Sequence, residues 1–194
     1  MSFANKITLL RVILAPVFFF FYFIPEYFPS LFVNGSAWTI AVIWPVFIIS
    51  EITDYFDGLA ARKLNETSDI GKLFDPFADT LMQITCFFCF VMDGIFPAFL
   101  LLLLIYREFG ILFLRILMLR KGVTLGARMS GKTKTVAYIT TASVALLAVG
   151  LQRMLIFEFA VPSILKCALV FFIISVIISI VSFVDYFIVF RKTK

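Results

Sequence analysis

Long apolar runs, separated by short polar stretches, make up most of this 194-residue chain. The runs lack the apolar-polar alternation of β-strands, and each approaches or exceeds the roughly 20 residues that a helix needs to cross a bilayer. We therefore predict an all-α polytopic membrane protein, one domain over residues 1–194, with six transmembrane helices. The predicted spans cover about 7–32, 36–61, 72–92, 97–120, 133–152 and 160–189, with proline and glycine near their boundaries.

The composition supports a membrane protein. Hydrophobic residues make up 62% of the chain, 26 residues are Phe, and the mean hydropathy is +1.07. A soluble domain of this length needs far more polar surface. The chain has no His, which removes the most common transition-metal ligand.

The basic residues predict the orientation in the membrane. They gather at the N-terminus, in the connection at 62–72, around the connection at 115–134 and at the C-terminus, whereas the opposite connections hold only Arg153, with Lys166 just inside span six. By the positive-inside rule, both termini and the 62–72 loop are cytoplasmic, so we expect a multi-pass protein of the cytoplasmic membrane. The net charge of +5 favours membrane lipids with anionic headgroups or an anionic substrate, and no nucleic acid partner is expected.

An acidic stretch lies at the cytoplasmic ends of spans two and three. It reads DYFDGLAARKLNETSDIGKLFDPFADT over residues 54–80. Asp54 and Asp57 are spaced i, i+3, and Asp75 and Asp79 are spaced i, i+4, so each pair lies on one helix face. Because a short loop joins the two helices, all four carboxylates can converge near the inner membrane surface.

Converging carboxylates next to hydrocarbon must either take up protons or hold cations. Oxygen ligands without imidazole or thiolate favour Mg²⁺, Mn²⁺ or Ca²⁺ over zinc. The alternative is a solvated acidic loop end with no ligand. Ionisable residues at membrane depth are functional candidates by default, so we favour the metal site.

The spacing of the stretch is more specific than its charge. It follows the pattern D-x₂-D-G-x₂-A-R-x₈-G-x₃-D-x₃-D from Asp54 to Asp79. This resembles the signature of the CDP-alcohol phosphotransferase family, with every fixed position present. The resemblance implies a helical bundle, usually a homodimer, with a polar cavity open to the cytoplasm. It also implies transfer of a phosphoryl group from a CDP-linked alcohol to an acceptor hydroxyl, with CMP leaving.

The resemblance also assigns roles to residues. It implies two divalent ions, Mg²⁺ or Mn²⁺, held by Asp54, Asp57, Asp75 and Asp79, with Asp79 also the expected catalytic base. The residues expected to bind the CDP moiety are Asn5, Thr8, Gly58, Ala61, Arg62 and Gly71. Two alternatives stay open: the glycines can serve helix packing, and Arg62 can be a positive-inside anchor.

A second polar segment points to the acceptor. Arg107 and Glu108 interrupt an apolar run in span four, Arg115 follows two turns later, and "GARMSGKTKT" comes after it. An arginine this deep beside a polar cavity suggests recognition of an acceptor phosphate. The segments resemble those of the bacterial phosphatidylglycerophosphate synthases, as does the opening "ANKITLLR", in which Ala4 stands where those proteins have proline.

The residues expected to bind the acceptor phosphate are Arg107, Arg115, Lys132 and Lys134. The resemblance thus implies CDP-diacylglycerol and glycerol 3-phosphate as substrates. Two alternatives remain for these side chains. Arg107 can form a structural ion pair with Glu108 or Asp79, and the lysines can belong to an ordinary positive-inside loop.

Other functions stay open at this point. Inositol phosphate or another phosphorylated alcohol also suits a basic pocket. An intramembrane, Mg²⁺-dependent prenyltransferase also uses aspartate pairs, but the chain has no second distant set of aspartates. A cation transporter needs carboxylates near the bilayer midplane, whereas these lie at the inner edge.

Overall fold

The computed structural model of the protein describes residues 3–29, 37–64, 69–120 and 129–192, and side chains over 8–29, 37–53, 74–120 and 131–191. All the regular secondary structure in these residues is helical, so the predicted all-α class is confirmed there. The six α-helices are α1 Phe3–Tyr27, α2 Ala37–Leu64, α3 Asp69–Met92, α4 Ala98–Arg120, α5 Met129–Met154 and α6 Val161–Lys192.

The helix bounds lie within a few residues of the predicted spans, with the largest difference at the end of α1. The apolar pattern predicts a helix to about residue 32, whereas α1 ends at Tyr27. The reason is Pro29, because proline disfavours the α conformation at the residue before it, here Phe28.

Aromatic side chains at the centre of the bundle join three helices. Phe87 of α3 contacts Tyr138 of α5 and Phe172 of α6, with ring centroids 5.5 and 5.1 Å away. Phe96, in the turn between α3 and α4, stacks on Phe172 with the centroids 4.2 Å apart. Phe87 and Phe172 are fully buried, so this cluster fixes how α3, α5 and α6 pack around the polar site.

The outer faces of the helices are apolar as well. Ile13 of α1, Phe113 of α4 and Val181 of α6 are each more than half exposed. Monomeric soluble proteins rarely expose so much contiguous apolar surface, whereas a bilayer covers it. Among the described residues, four stretches are long and apolar enough to cross a membrane: Thr8–Tyr27, Phe74–Met92, Gly131–Met154 and Val161–Arg191. The chain is therefore a membrane protein.

In the other two helices, charged residues of the site follow or interrupt the apolar run. In α2 the described side chains, Ala37–Thr53, form an apolar stretch, and the first motif carboxylate, Asp54, follows it in the sequence. In α4, Arg107, Glu108 and Arg115 interrupt the apolar run. The charges that predict function in these helices also weaken their apolar pattern.

Candidate active site

The start of α1 contacts the motif face of α3. Thr8 and Arg11 are spaced i, i+3 on α1, and Asp75 and Asp79 are spaced i, i+4 on α3. Thr8 Oγ1 donates a hydrogen bond of 2.5 Å to Asp75 Oδ1, and Arg11 forms an ion pair with Asp79. Both α1 side chains are buried. Each of these two carboxylates therefore has a partner on α1.

The remaining motif residues cannot be placed in the same detail. Asp54, Asp57, Gly58, Ala61 and Arg62 lie in α2, Gly71 lies in α3 and Asn5 lies in α1, but their side chains are outside the described residues. Among the described side chains, no three potential metal ligands form a group, and two of the four expected ligands are not in that set. Convergence of all four carboxylates therefore stays a prediction.

A cavity of about 210 Å³ lies beside Asp79, between α3, α4, α5 and α6. Its charged lining consists of Asp79, Arg107, Glu108, Arg115, Lys132 and Lys134. The structure thus brings all four residues predicted to bind the acceptor phosphate to one cavity, together with the predicted base. Thr80 and Gln83 of α3, and Tyr186 of α6, also line it.

Glu108 is the centre of a buried network at this cavity. Its Oε1 atom accepts hydrogen bonds from Arg107 Nη1 at 2.7 Å, Lys134 Nζ at 3.0 Å and Tyr138 Oη at 3.0 Å. Its Oε2 atom accepts a longer bond of 3.5 Å from Thr80. Glu108 is only 4% exposed, and a buried carboxylate is tolerated where cations and donors satisfy it in this way.

The network continues into α6. Arg107 Nε donates to the backbone oxygen of Ser179 at 2.9 Å, and the hydroxyls of Tyr138 and Ser179 lie 2.6 Å apart. The alternative ion pair of Arg107 with Glu108 is therefore present. It joins neighbouring residues of one helix, whereas the hydrogen bonds to Thr80, Lys134, Tyr138 and Ser179 connect different helices. Arg107 both holds the bundle together and lines the cavity.

Sequence reasoning missed several residues of this network. Glu108 and Lys134 are singled out from the sequence, but Tyr138 is missed, and its only signal is its i, i+4 spacing from Lys134 on α5. Thr80 and Ser179 gave no signal, because hydroxyls in apolar helices often bond their own backbone. Gln83 gave none either, although its Oε1 is buried without a hydrogen-bond partner among the described residues.

Comparison with known proteins identifies the family of the chain. A family model described as CDP-alcohol phosphatidyltransferase matches residues 1–181. The chain belongs to this family. The family predicted from the aspartate motif is therefore confirmed.

Two relatives align over most of the chain. The CDP-diacylglycerol–glycerol-3-phosphate 3-phosphatidyltransferase of Treponema pallidum (strain Nichols) is 38% identical over 164 residues, which is 82% of this chain and 74% of the relative. The protein of the same name from Bacillus subtilis (strain 168) is 37% identical over 145 residues, 74% of this chain and 75% of the relative. Both alignments are long enough to include most of the helical bundle.

Proposed function

We propose that this protein transfers the phosphatidyl group of CDP-diacylglycerol to sn-glycerol 3-phosphate, which gives phosphatidylglycerophosphate and CMP. It is then a transferase of membrane phospholipid synthesis. The observation that carries this proposal is the cavity beside Asp79, where a motif carboxylate lies next to a cluster of cationic side chains. Two relatives that align with most of the chain are named for the same reaction.

The charge of the cavity fits a phosphorylated acceptor. Four cationic and two carboxylate side chains line it, which leaves a formal charge of +2. A phosphate monoester carries about −1.5 to −2 at pH 7. Arg115 and Lys132 form no ion pair or hydrogen bond with the described side chains, so both can turn to the acceptor phosphate. An unphosphorylated alcohol would leave these cations unmatched.

The motif carboxylates are the proposed ligands of two divalent ions, Mg²⁺ or Mn²⁺. Asp75 and Asp79 fit this role, because they lie on one face of α3 and each is held in place from α1, Asp75 by a hydrogen bond from Thr8 and Asp79 by an ion pair with Arg11. Asp54 and Asp57 are the expected further ligands, and hard oxygen donors suit both metals. When bound, the ions would neutralise the diphosphate and stabilise the leaving CMP.

The reaction is a displacement at phosphorus. The acceptor hydroxyl oxygen forms a bond to the β-phosphorus of CDP-diacylglycerol, while the bond from that phosphorus to the CMP oxygen breaks and CMP leaves with the electron pair. Asp79, which faces the acceptor cavity, is the proposed recipient of the hydroxyl proton. Asn5, Thr8, Gly58, Ala61, Arg62 and Gly71 are the proposed contacts of the CDP moiety.

All six helices are proposed to cross the membrane, as one domain over residues 1–194. Besides the four apolar spans, α2 has 28 residues and α4 has 23. At 1.5 Å per residue, even α4 spans about 35 Å, more than the hydrocarbon core of roughly 30 Å. The distribution of basic residues supports a cytoplasmic location for both termini and the active site. The expected homodimer remains a proposal from the family.

This orientation has a direct test. In a Cys167→Ser background, which removes the exposed native thiol, a cysteine at Asn65 should react with an impermeant maleimide only from the cytoplasmic side. A cysteine at Asn34 should react only from the opposite side. The reverse pattern would separate the site from the cytoplasmic nucleotide pool and contradict the proposal.

The function is tested with purified protein and CDP-diacylglycerol. Candidate acceptors are glycerol 3-phosphate, inositol phosphate, glycerol and serine, and the readouts are CMP release and the identity of the lipid product. We expect phosphatidylglycerophosphate from glycerol 3-phosphate, loss of CMP release in chelator and recovery with Mg²⁺ or Mn²⁺. An Asp57→Asn preparation serves as the inactive control. No CMP from CDP-diacylglycerol would favour the prenyltransferase or transporter alternatives.

A further inference from the structure

Glu108 is an unexpected charge at a site that binds a phosphate. It is buried, it lines the acceptor cavity and it lies beside cations that would attract the same anion. A carboxylate here repels the substrate unless its effect on the neighbouring side chains outweighs that repulsion. The neighbouring side chains that it contacts are the cations Arg107 and Lys134.

Glu108 holds two like charges next to each other. Arg107 Nη1 and Lys134 Nζ both lie within 3.0 Å of the same oxygen, Oε1. Without a carboxylate between them, the guanidinium and the ammonium would repel each other in a poorly hydrated site. Lys134 also has a flexible stem that can carry its charge to the aqueous end of the helix. Arg107 is held in addition by Ser179.

Both cations keep donors for a ligand. Lys134 has three N–H groups and gives one to Glu108. Arg107 has five N–H groups, and its bonds to Glu108 and Ser179 use two of them. Both side chains line the cavity, so their remaining donors are available to a phosphate there.

We propose that Glu108 is a positioning residue that clamps Lys134 and Arg107 into a two-cation cradle for the acceptor phosphate. This inference rests on the proposed function, because it assigns a part to Glu108 within the same acceptor site. Glu108 acts through Lys134 and Arg107, and it is not a catalytic residue.

The sign of one measurement separates this role from simple charge balance. If Glu108 only reduces the positive charge of the cavity, Glu108→Gln raises that charge and lowers the KM for glycerol 3-phosphate. If Glu108 positions the cations, the same variant raises the KM because the cradle opens. The KM for CDP-diacylglycerol should change less than about twofold, because the donor does not depend on the cradle.

The experiment is a pair of double-mutant cycles. Glu108→Gln should raise the KM for glycerol 3-phosphate about tenfold, and Glu108→Gln with Lys134→Ala should be no worse than the worse single variant. Arg115→Ala provides the matched control, because Arg115 lines the same cavity without a hydrogen bond to Glu108 among the described contacts. In the double variant, the fold-increase in KM for glycerol 3-phosphate should equal the product of the increases in Arg115→Ala and Glu108→Gln.

Several outcomes would overturn the inference. These are an unchanged or lowered KM in Glu108→Gln, multiplicative effects with Lys134→Ala, or equal losses for both substrates. If Glu108→Gln fails to fold, Glu108→Asp replaces it. This variant keeps the charge but shortens the reach to Lys134. An unchanged KM for glycerol 3-phosphate in Glu108→Asp would also overturn the inference.

Failure of the proposed function gives a different result. If wild-type protein releases CMP only with another phosphorylated acceptor, the assigned acceptor is wrong and the same cycles are measured with the acceptor that reacts. If the wild type uses glycerol 3-phosphate and Glu108→Gln keeps its KM, the inference alone fails. No CMP release by the wild type with any acceptor would overturn both.

Discussion

Arg11 of α1 forms an ion pair with Asp79 of α3. Arg11 is 1% exposed, whereas the Asp79 side chain is 33% exposed and reaches the acceptor cavity. A protein cation thus holds the carboxylate that is proposed to contact a metal ion and the attacking hydroxyl. The pair keeps Asp79 in place before any ligand arrives, and bound cations would share its negative charge.

The first prediction concerns this pair. Arg11→Met should lower the free energy of unfolding by about 2 kcal/mol in chelator, less than for a fully buried pair because Asp79 is partly exposed. The loss should shrink when Mg²⁺ is added, since the metal supplies the missing positive charge. Thermal unfolding in detergent, with and without Mg²⁺, measures both values. Arg120→Met, an exposed arginine at the end of α4, is the control. Equal losses in both conditions would show that bound Mg²⁺ does not replace the charge of Arg11 at Asp79.

This pair also shows what the sequence could and could not predict. The helix positions follow from the apolar runs, and the i, i+4 spacing places Asp75 and Asp79 on one face. That Arg11 meets Asp79 depends on how α1 and α3 are rotated against each other, which local pattern does not determine. The hydrogen bond from Thr8 to Asp75 also depends on how α1 and α3 are rotated against each other.

The cavity was predictable in part. The sequence predicts that Arg107, Arg115, Lys132 and Lys134 bind one acceptor phosphate, and the structure brings all four to one cavity. Glu108 contacts Thr80 of α3 and Lys134 and Tyr138 of α5 directly. Arg107 and Tyr138 connect it to Ser179 of α6. Only tertiary packing brings these helices together, so the network could not be read from spacing along the chain.

A second prediction tests the hydrogen bond between Thr8 and Asp75. Thr8→Val keeps the shape of the side chain and removes the donor. We expect the Mg²⁺ concentration for half-maximal CMP release to rise about 10- to 100-fold, the usual effect of losing a group that orients a metal ligand. Thr8→Ser keeps the hydroxyl and should stay near wild type. A normal metal requirement in Thr8→Val would mean that Asp75 is oriented without Thr8.

The third prediction separates two arginines that line the same cavity. Arg115→Ala should raise the KM for glycerol 3-phosphate about tenfold or more, with little change in the KM for CDP-diacylglycerol or in stability. Arg107→Ala should also raise the acceptor KM. In addition, it should lower the free energy of unfolding by about 3–5 kcal/mol, because it leaves Glu108 with one cation fewer.

Steady-state kinetics with each substrate varied in turn, together with thermal unfolding, measure these effects. Lys166→Ala, an exposed basic residue near the opposite end of the bundle, is the control for the loss of a positive charge. If Arg115→Ala affected both substrates equally, Arg115 would not be specific to the acceptor.

The fourth prediction concerns the other end of the bundle. Arg153 of α5 donates to Thr39 Oγ1 of α2 and to the backbone oxygen of Tyr22 of α1, both at 2.9 Å, and lies 4.5 Å from the centre of the Tyr22 ring. Tyr22 in turn donates to Asp93, just after α3. This explains the one arginine among the sparsely charged connections: it ties the helices together.

Arg153→Ala should therefore lower the free energy of unfolding by about 2–3 kcal/mol, because two hydrogen bonds and a cation–π contact are lost. The KM values for both substrates should remain within about twofold of wild type, since the active site lies at the opposite end of α1 and α3. A large change in either KM at the assay temperature would mean that the two ends are coupled.

The fifth prediction separates a metal ligand from a catalytic base. Asp79→Asn keeps the shape of the side chain and one coordinating oxygen but removes its ability to take up a proton. We expect near-complete loss of turnover, with a folded protein that still binds CDP-diacylglycerol in the presence of metal. Asp75→Asn should instead weaken metal-dependent donor binding as well, because Asp75 contacts Thr8 and does not line the acceptor cavity.

A carboxylate is a weak base for an alcohol, so the assignment of Asp79 requires that the proton moves late. As the bond to phosphorus forms, the hydroxyl becomes more acidic, and a carboxylate within hydrogen-bond reach can then accept its proton. Asp79 faces the cavity where the acceptor is proposed to bind, which satisfies the geometric part of this requirement. Single-turnover measurements of CMP release, with donor binding measured separately, give the answer. Turnover by Asp79→Asn within about tenfold of wild type, a loss of only roughly 1.4 kcal/mol, would leave Asp79 as a ligand and exclude it as the base.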